Sequence, residues 1–254
     1  MLFLPLGQGA IDAAGWYQAL AILAATTLAI FPLAFLLPND TSGKAMLFSD
    51  QTIGAALKEA LAHRGFLLLT AGFFVCGFHL AFITVHFPAY VKDVGLDARI
   101  GAFALALIGV FNIVGSLSAG FAGQRWAKRY GLSAIYAARS AAIVFLLVSP
   151  KTEATILIFA AIMGLLWLST VPLTSGIVAQ VFGVRYMATL YGVVFLSHQI
   201  GSFLGAWLGG VIYERTHSYD GLWWTSIALG IFAALVHLPI NERPLARLTA
   251  AKPA

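Results

Sequence analysis

Five polar side chains that could bind a ligand interrupt the apolar runs of this 254-residue sequence: Arg139, His198, Gln199, Asn112 and His79. An arginine guanidinium can hold a carboxylate through parallel hydrogen bonds. An imidazole can gain or lose a proton near neutral pH. These residue types predict a binding site for a small anion, with His198 able to take part in a proton-linked step.

Each of these residues also has a structural interpretation. A charge in hydrocarbon costs between about 2.5 and more than 10 kcal/mol, so Arg139 needs a ligand, an interface or backbone carbonyls as partners. The later apolar segments contain no acidic residue that could neutralise it. His198 could instead be hydrogen-bonded between packed helices, and Asn112, Gln199 and His79 could be interhelical hydrogen-bond partners. From the sequence, both interpretations stay open.

The composition places these residues in a membrane protein. Hydrophobic residues make up 60% of the chain and charged residues 10%, with a mean hydropathy of +0.89. A soluble domain has about 45–50% apolar and about 25% charged residues. The formal net charge is +5, but the cations are spread over short loops, which argues against a nucleic-acid partner.

Enzyme and metal chemistry find no support in the sequence. It contains no P-loop, no H-E-x-x-H and no G-x-S-x-G, so we predict that it is not an enzyme. The single cysteine, Cys76, excludes an intrachain disulfide and a metal site built on cysteines. No cofactor is predicted, apart from a coupling proton.

Apolar segments long enough to cross a bilayer recur along the chain. A hydrocarbon core about 30 Å thick needs about 20 apolar residues in a helix. Seven segments satisfy this, over residues 16–37, 65–90, 100–122, 132–148, 154–181, 187–213 and 223–240. At about 1.5 Å per residue, His198 and Gln199 lie roughly 16–18 Å inside their segment and Arg139 roughly 10 Å.

The connecting segments set the orientation. Ten cations lie on one side, at Lys44, Lys58, Arg64, Arg125, Lys128, Arg129, Arg185, Arg243, Arg247 and Lys252. Four lie on the other side, at Lys92, Arg99, Lys151 and Arg215. Because positive loops are retained in the cytoplasm, we predict a multi-pass protein of the inner (plasma) membrane with a cytoplasmic C-terminus.

One cluster of these cations lies in the stretch "GFAGQRWAKRYG", residues 120–131. It resembles the loop signature G-x-x-A-D-R-x-G-R-R of the major facilitator superfamily. Gly120, Arg125, Lys128 and Arg129 match that pattern, whereas Gln124 replaces the acidic residue. In the family the acid interacts with a helix N-terminus and helps to latch one conformation. The resemblance therefore implies a weaker latch here, by roughly 0.3–1 kcal/mol at an exposed site.

The order of segments resembles the second half of such a transporter. The resemblance implies an all-α polytopic fold with a C-terminal six-helix bundle, one preceding helix and the stump of another. On this mapping the parts are the outer end of a truncated helix five (1–14), helix six (15–37), a cytoplasmic central loop (38–64), the bundle (65–240) and a cytoplasmic tail (241–254). "GVFNIVGSLSAG" and "SHQIGSFLGAWLGG" are similar to bacterial members related to the monocarboxylate and oxalate/formate group.

The resemblance also implies a function. We expect a secondary active transporter that moves a small anionic metabolite by alternating access, with the substrate bound near the bilayer midplane between two bundles. Its expected partners are membrane lipid, the small-molecule substrate, and the missing N-terminal bundle or a partner chain. The alternative is a non-transporting truncated fragment or a membrane assembly subunit.

Three local patterns give further structural predictions. Gly201, Gly205 and Gly209 recur every four residues, which predicts close helix packing inside the bundle, or a dimer face. Pro172 predicts a bend in the segment 154–181. The apolar spacing in residues 48–62 predicts a short amphipathic helix, either at the membrane surface or as a linker.

Overall fold

The computed structural model describes residues 11, 15–28, 32 and 51–249. The chain divides into two units, Met1–Phe48 and Ser49–Ala254. In the first unit, helix α1 (Trp16–Leu28) is apolar and covers the first part of the predicted span 16–37. The rest of that span apart from Pro32, the first part of the central loop, and the predicted stump 1–14 apart from Ile11 lie outside the described residues.

The described part of the second unit consists of helices joined by short connections. Its elements are α2 (Ile53–Ala62), α3 (Arg64–Asp93), α4 (Ala98–Arg125), α5 (Lys128–Val148), α6 (Glu153–Leu166), α7 (Thr170–Phe182), α8 (Met187–Thr216), α9 (Asp220–His237) and α10 (Ala246–Thr249). Six spans among the described residues are long and apolar enough to cross a membrane, with α6 and α7 together forming one of them. The predicted all-α polytopic fold is confirmed.

Polar caps fix where the helices begin. The Thr52 and Thr152 hydroxyls accept hydrogen bonds from the backbone N–H three residues later, and the Asp97 carboxylate accepts one from Arg99. Each such cap stabilises a helix end by about 1 kcal/mol. At the C-terminal end of α7, Gly183 has a φ of +83°. Glycine adopts this left-handed conformation readily, whereas a residue with a side chain would be strained there.

Glycines set the spacing between α3 and α8. A Cβ on Gly201 would overlap the carbonyl oxygen of Phe74. A Cβ on Gly205 would overlap the carbonyl oxygen of Phe78, and Gly209 lies against the His86 ring. The two helices therefore pack backbone against backbone. This confirms the predicted close packing within the bundle.

The span formed by α6 and α7 is interrupted at Trp167–Ser169. The predicted bend is confirmed, but it lies on the N-terminal side of Pro172, which is the third residue of α7. Proline is tolerated in the first turn of a helix, where its missing N–H needs no partner, and it disturbs the residues before it. The interruption leaves backbone groups in the middle of a membrane span that other side chains must satisfy.

The C-terminal segment packs on α2 and on the end of α7. Arg247 forms an ion pair with Glu59 of α2 at 3.0 Å and donates to the carbonyl of Phe182 at 2.9 Å. The Leu245 N–H donates to the carbonyl of Val181 at 3.0 Å. The predicted helix in residues 48–62 is confirmed over Ile53–Ala62, while its placement at the membrane surface stays a prediction.

The glycine packing gives a matched stability test. Gly205→Ala is expected to lower the free energy of unfolding by about 1–3 kcal/mol, because the added methyl must displace the α3 backbone. Gly210→Ala in the same helix is the control, since its Cβ would meet no atom within 4 Å. The control should stabilise the helix by up to about 1 kcal/mol. Equal melting temperatures for the two variants in detergent would contradict the packing described above.

Candidate functional site

Arg139 lies at the interruption between α6 and α7. Its side chain is fully buried, at 0% exposure. Its Nη2 donates to the carbonyls of Leu166 at 2.7 Å and Trp167 at 2.5 Å, and its Nη1 approaches the Cys76 Sγ at 3.6 Å. The guanidinium carbon lies 5.3 Å from the centre of the Tyr136 ring. None of these partners is a carboxylate, so over the described part of the chain the Arg139 charge has no acidic side chain from Asp or Glu beside it.

The other predicted residue at this interruption is Asn112. Its Oδ1 accepts from the backbone N–H of Leu168 at 2.9 Å and from the Ser116 hydroxyl at 3.1 Å. The Ser169 hydroxyl donates back to the carbonyl of Leu165 at 2.5 Å. Side chains from α4 and α5 thus satisfy the backbone groups that the interruption frees. The interpretation of Arg139 as a partner of backbone carbonyls is therefore observed, and its contact with a substrate stays a prediction.

A cluster of polar side chains surrounds the buried thiol of Cys76. The Thr170 Oγ1 lies 3.3 Å from the sulfur. The His198 imidazole also lies beside it, and the Tyr136 ring faces the Arg139 guanidinium. We call Cys76, Tyr136, Arg139, Thr170 and His198 the buried polar cluster. Because its members come from α3, α5, α7 and α8, it joins four of the membrane spans.

His198 and Gln199 lie at the edge of this cluster. The His198 ring is 8% exposed and stacks on Phe195 with a centroid distance of 5.1 Å. Its Nδ1 lies 3.2 Å from the Gln199 Oε1 and 3.5 Å from the Ser202 hydroxyl. Gln199 itself is exposed. The pair therefore connects the buried polar cluster with the surface of α8.

His79 makes its hydrogen bond with a different helix from the other predicted residues. Its Nε2 donates to the carbonyl of Ser226 at 2.8 Å, which links α3 to α9. The neighbouring Ser140 hydroxyl donates to the carbonyl of Ile227 at 3.2 Å. His79 is fully buried and its Nδ1 has no partner among the described residues. The contact with Ser226 is the interhelical hydrogen bond that the structural interpretation of His79 expects.

Several buried polar atoms around the cluster have no hydrogen-bond partner among the described residues. They are the Arg139 Nε, the Tyr136 and Tyr191 hydroxyls and the Thr174 Oγ1. Thr174 lies one turn after Thr170 on the same helix face. Since more than nine in ten buried polar groups in proteins are hydrogen-bonded, this concentration indicates a place where a polar ligand or water binds.

Sequence reasoning missed Tyr136, Thr170, Thr174 and Tyr191. In an apolar helix a single hydroxyl resembles any packed core residue. The available signal was spacing, because Tyr136 precedes Arg139 by three residues and therefore shares its helix face.

The signature loop lies at one end of the bundle, where α4 ends at Arg125 and α5 begins at Lys128. Lys128 Nζ donates to the Gln180 Oε1 at 2.7 Å. Arg129 Nη1 donates to the carbonyl of Ile240 at 3.0 Å. Gly120 has open space where a Cβ would lie, and Gln124 is exposed. The loop thus ties α5 to α7 and to the segment after α9.

A carboxylate lies at the N-terminus of α5, and it belongs to Glu242. Its Oε1 accepts from the backbone N–H of Arg129 at 2.6 Å. A negative charge at a helix N-terminus is stabilising by about 0.3–1 kcal/mol at an exposed site. The sequence interpretation looked for such a charge only at Gln124. It overlooked Glu242 because that residue is more than a hundred positions away in the chain.

Comparison with known proteins agrees with this architecture. The family model described as Major Facilitator Superfamily matches residues 1–206. A Bacillus subtilis protein named Uncharacterized MFS-type transporter YcxA is 25% identical over 98% of this chain and 63% of its own length. Monocarboxylate transporter 13 of Rattus norvegicus is 23% identical over 85% of this chain and 50% of its own. Monocarboxylate transporter 11 of Homo sapiens is 24% identical over 94% and 52%.

The chain spans between about half and two thirds of the length of these three relatives. The family match extends over most of the chain, from the first unit to α8, and the six spans are those of a multi-pass membrane protein. The helical architecture and the family match lead to one conclusion: the chain belongs to the Major Facilitator Superfamily of membrane transporters.

Proposed function

We propose that this chain forms the C-terminal half of a secondary active transporter for a small carboxylate. The observation that carries the proposal is the fully buried guanidinium of Arg139, which lacks an acidic partner over the described residues and lies where four spans meet. An ionisable residue buried inside a membrane span is by default a candidate for a substrate or ion pathway. The names of two relatives, both monocarboxylate transporters, support an anionic substrate.

The buried polar cluster offers the groups that a carboxylate needs. The Arg139 Nε and the Tyr136 hydroxyl are donors without partners. A bound carboxylate would accept from both and would offset the positive charge at the same time. No enzymatic step is needed, because the substrate leaves chemically unchanged.

His198 is the group that we propose carries the coupling proton. It lies beside Cys76, which in turn contacts Arg139. A proton on His198 would add a second positive charge near the bound anion. Proton and carboxylate would then each raise the affinity for the other, since coupling between two sites is reciprocal.

Alternating access would use the interruption at Trp167–Ser169 as a hinge. The continuous hydrogen-bond ladder of a helix is absent there, so α7 can tilt relative to α6 with little loss of backbone bonding. An N-terminal bundle, on a longer chain or on a partner, would supply the other wall of the pathway. On the positive-inside pattern we place the protein in the plasma membrane, with the signature loop and the C-terminus in the cytoplasm.

The test is uptake of labelled lactate and pyruvate by cells that express this chain, alone and extended by any in-frame upstream coding sequence. We expect saturable uptake driven by an inward proton gradient in at least one form. His198→Gln should keep exchange of carboxylate but lose the dependence on the gradient, because the amide cannot be protonated. A labelled sugar and a labelled amine serve as substrate controls. Failure of both forms to move any carboxylate would contradict the proposal.

A further inference from the structure

A cavity of about 510 Å³ opens beside the signature loop, at the end of the bundle where α4 meets α5. Its walls include the apolar residues Ala122, Ala127 and Leu173 and the two glycines Gly123 and Gly131. Leu173 is 3% exposed and packs against both glycines. The interior of the cavity is therefore apolar, and its volume lies within the range of small-ligand sites.

The rim of this cavity is positive and aromatic. It carries Arg125, Lys128, Trp126 and Tyr130, and none of the lining residues is acidic. Trp126 is 73% exposed and Tyr130 54% exposed. Tryptophan and tyrosine are enriched where a membrane span meets the polar headgroups. The cavity thus has an apolar interior and a cationic rim at the end of two membrane spans.

The two rim cations are available to an anion. The amide oxygen of Gln180 is a neutral partner for Lys128, so it leaves the lysine charge uncompensated. The carboxylate of Glu242 accepts from the backbone N–H of Arg129 and lines a neighbouring pocket that also includes Gln180 and Ala127. Arg125 therefore lines the cavity with no acidic residue among the other lining residues, and Lys128 adds a second positive charge at the boundary with the neighbouring pocket.

We propose that this cavity binds the phosphate headgroup and the first part of an acyl chain of an anionic phospholipid. A soluble phosphate would use only the rim, whereas a lipid uses both the cations and the apolar interior. Basic pockets at the ends of membrane spans are suited to such headgroups. Bound there, the lipid would bridge α4 and α5 across the signature loop.

The test is lipid retention by the purified chain, measured by native mass spectrometry in an equimolar mixture of dioleoyl-phosphatidylglycerol and dioleoyl-phosphatidylcholine. We expect preferential retention of one phosphatidylglycerol. The double variant Arg125→Gln with Lys128→Gln should reduce that retention about 25-fold, because the loss of each cation weakens binding to an anionic lipid on the order of fivefold. The control, Arg99→Gln with Arg215→Gln, removes two exposed cations outside the cavity and should change retention less than twofold.

Two further variants separate binding from folding and from bulk charge. Ala122→Leu keeps both cations and fills the apolar interior, so it should also reduce retention. Arg125→Lys with Lys128→Arg keeps both charges and should preserve it. Equal losses in the cavity and control variants would overturn the proposal. Complete displacement of the lipid by millimolar glycerol 3-phosphate would also overturn it, because the site would then be one for a soluble phosphate and would not need the acyl chain.

Discussion

Arg139→Leu is expected to lower the free energy of unfolding by about 2–4 kcal/mol. The substitution removes the donor to the carbonyls of Leu166 and Trp167, and each unsatisfied buried carbonyl costs about 1–3 kcal/mol. Part of this loss is offset, because the variant no longer buries a charge that lacks a carboxylate partner. The loss at the carbonyls is expected to be the larger effect, since unsatisfied backbone groups inside a membrane span cost several kcal/mol each.

The measurement is thermal unfolding of the purified protein in detergent, with Arg99→Leu as the matched control. Arg99 is an exposed arginine at the start of α4, so its replacement should change the free energy of unfolding by less than about 0.5 kcal/mol. Arg139→Lys should fall between the two, because an ammonium keeps the charge but cannot reach both carbonyls with a planar fork. A melting temperature for Arg139→Leu that equals the wild type would show that these contacts do not hold the interruption.

The same residue shows how far sequence reasoning extends. Its charge, its depth and the lack of an acidic partner in the later spans could all be read from the sequence. Whether Arg139 pairs with backbone carbonyls or only with a substrate depends on the helix interruption at Trp167–Ser169. From the sequence, the bend was expected at Pro172, so these free carbonyls were not foreseen. The spans themselves were predictable, because twenty apolar residues in lipid have little alternative to a helix.

Contacts between distant positions account for what the sequence could not predict. Cys76, Arg139 and Thr170 meet although more than ninety residues separate the first from the last. Glu242 reaches the α5 N-terminus over a similar distance. Neither contact follows from a local pattern, since both depend on which helices are neighbours. The glycines of α8 were predictable as packing residues, but their neighbour, α3, was not.

Tyr136→Phe is expected to make the substrate-free protein slightly more stable and yet to weaken carboxylate binding about 10- to 100-fold. The Tyr136 ring is fully buried and stacks on His237 with a centroid distance of 5.1 Å. Phenylalanine preserves both the burial of the ring and this stacking. The hydroxyl has no hydrogen-bond partner among the described residues. Its removal therefore relieves a desolvation cost of about 1–3 kcal/mol. A hydrogen bond from this hydroxyl to a carboxylate is worth about 1.5–3 kcal/mol, which gives the expected loss of affinity.

The contrasting variant is Tyr186→Phe. The Tyr186 hydroxyl donates to the carbonyl of Gln51 at 2.7 Å, so its removal should destabilise the protein by about 1 kcal/mol and leave substrate affinity unchanged. Thr174→Val should behave like Tyr136→Phe, because its buried hydroxyl also lacks a partner over the described residues. Thermal unfolding without substrate and the KM for labelled carboxylate uptake together separate hydroxyls that bind substrate from hydroxyls that stabilise the fold.

Higher stability of the substrate-free protein together with weaker carboxylate binding is what a binding role requires. A hydroxyl that served packing alone would change stability and leave the KM as it was. A hydroxyl that bonds an internal water would lower stability on removal, because that water would lose a partner. An unchanged KM for Tyr136→Phe, in protein that still transports carboxylate, would remove this residue from the site while leaving the proposed transport function intact. Only a hydroxyl kept unpaired for a ligand raises the stability and the KM together when it is deleted.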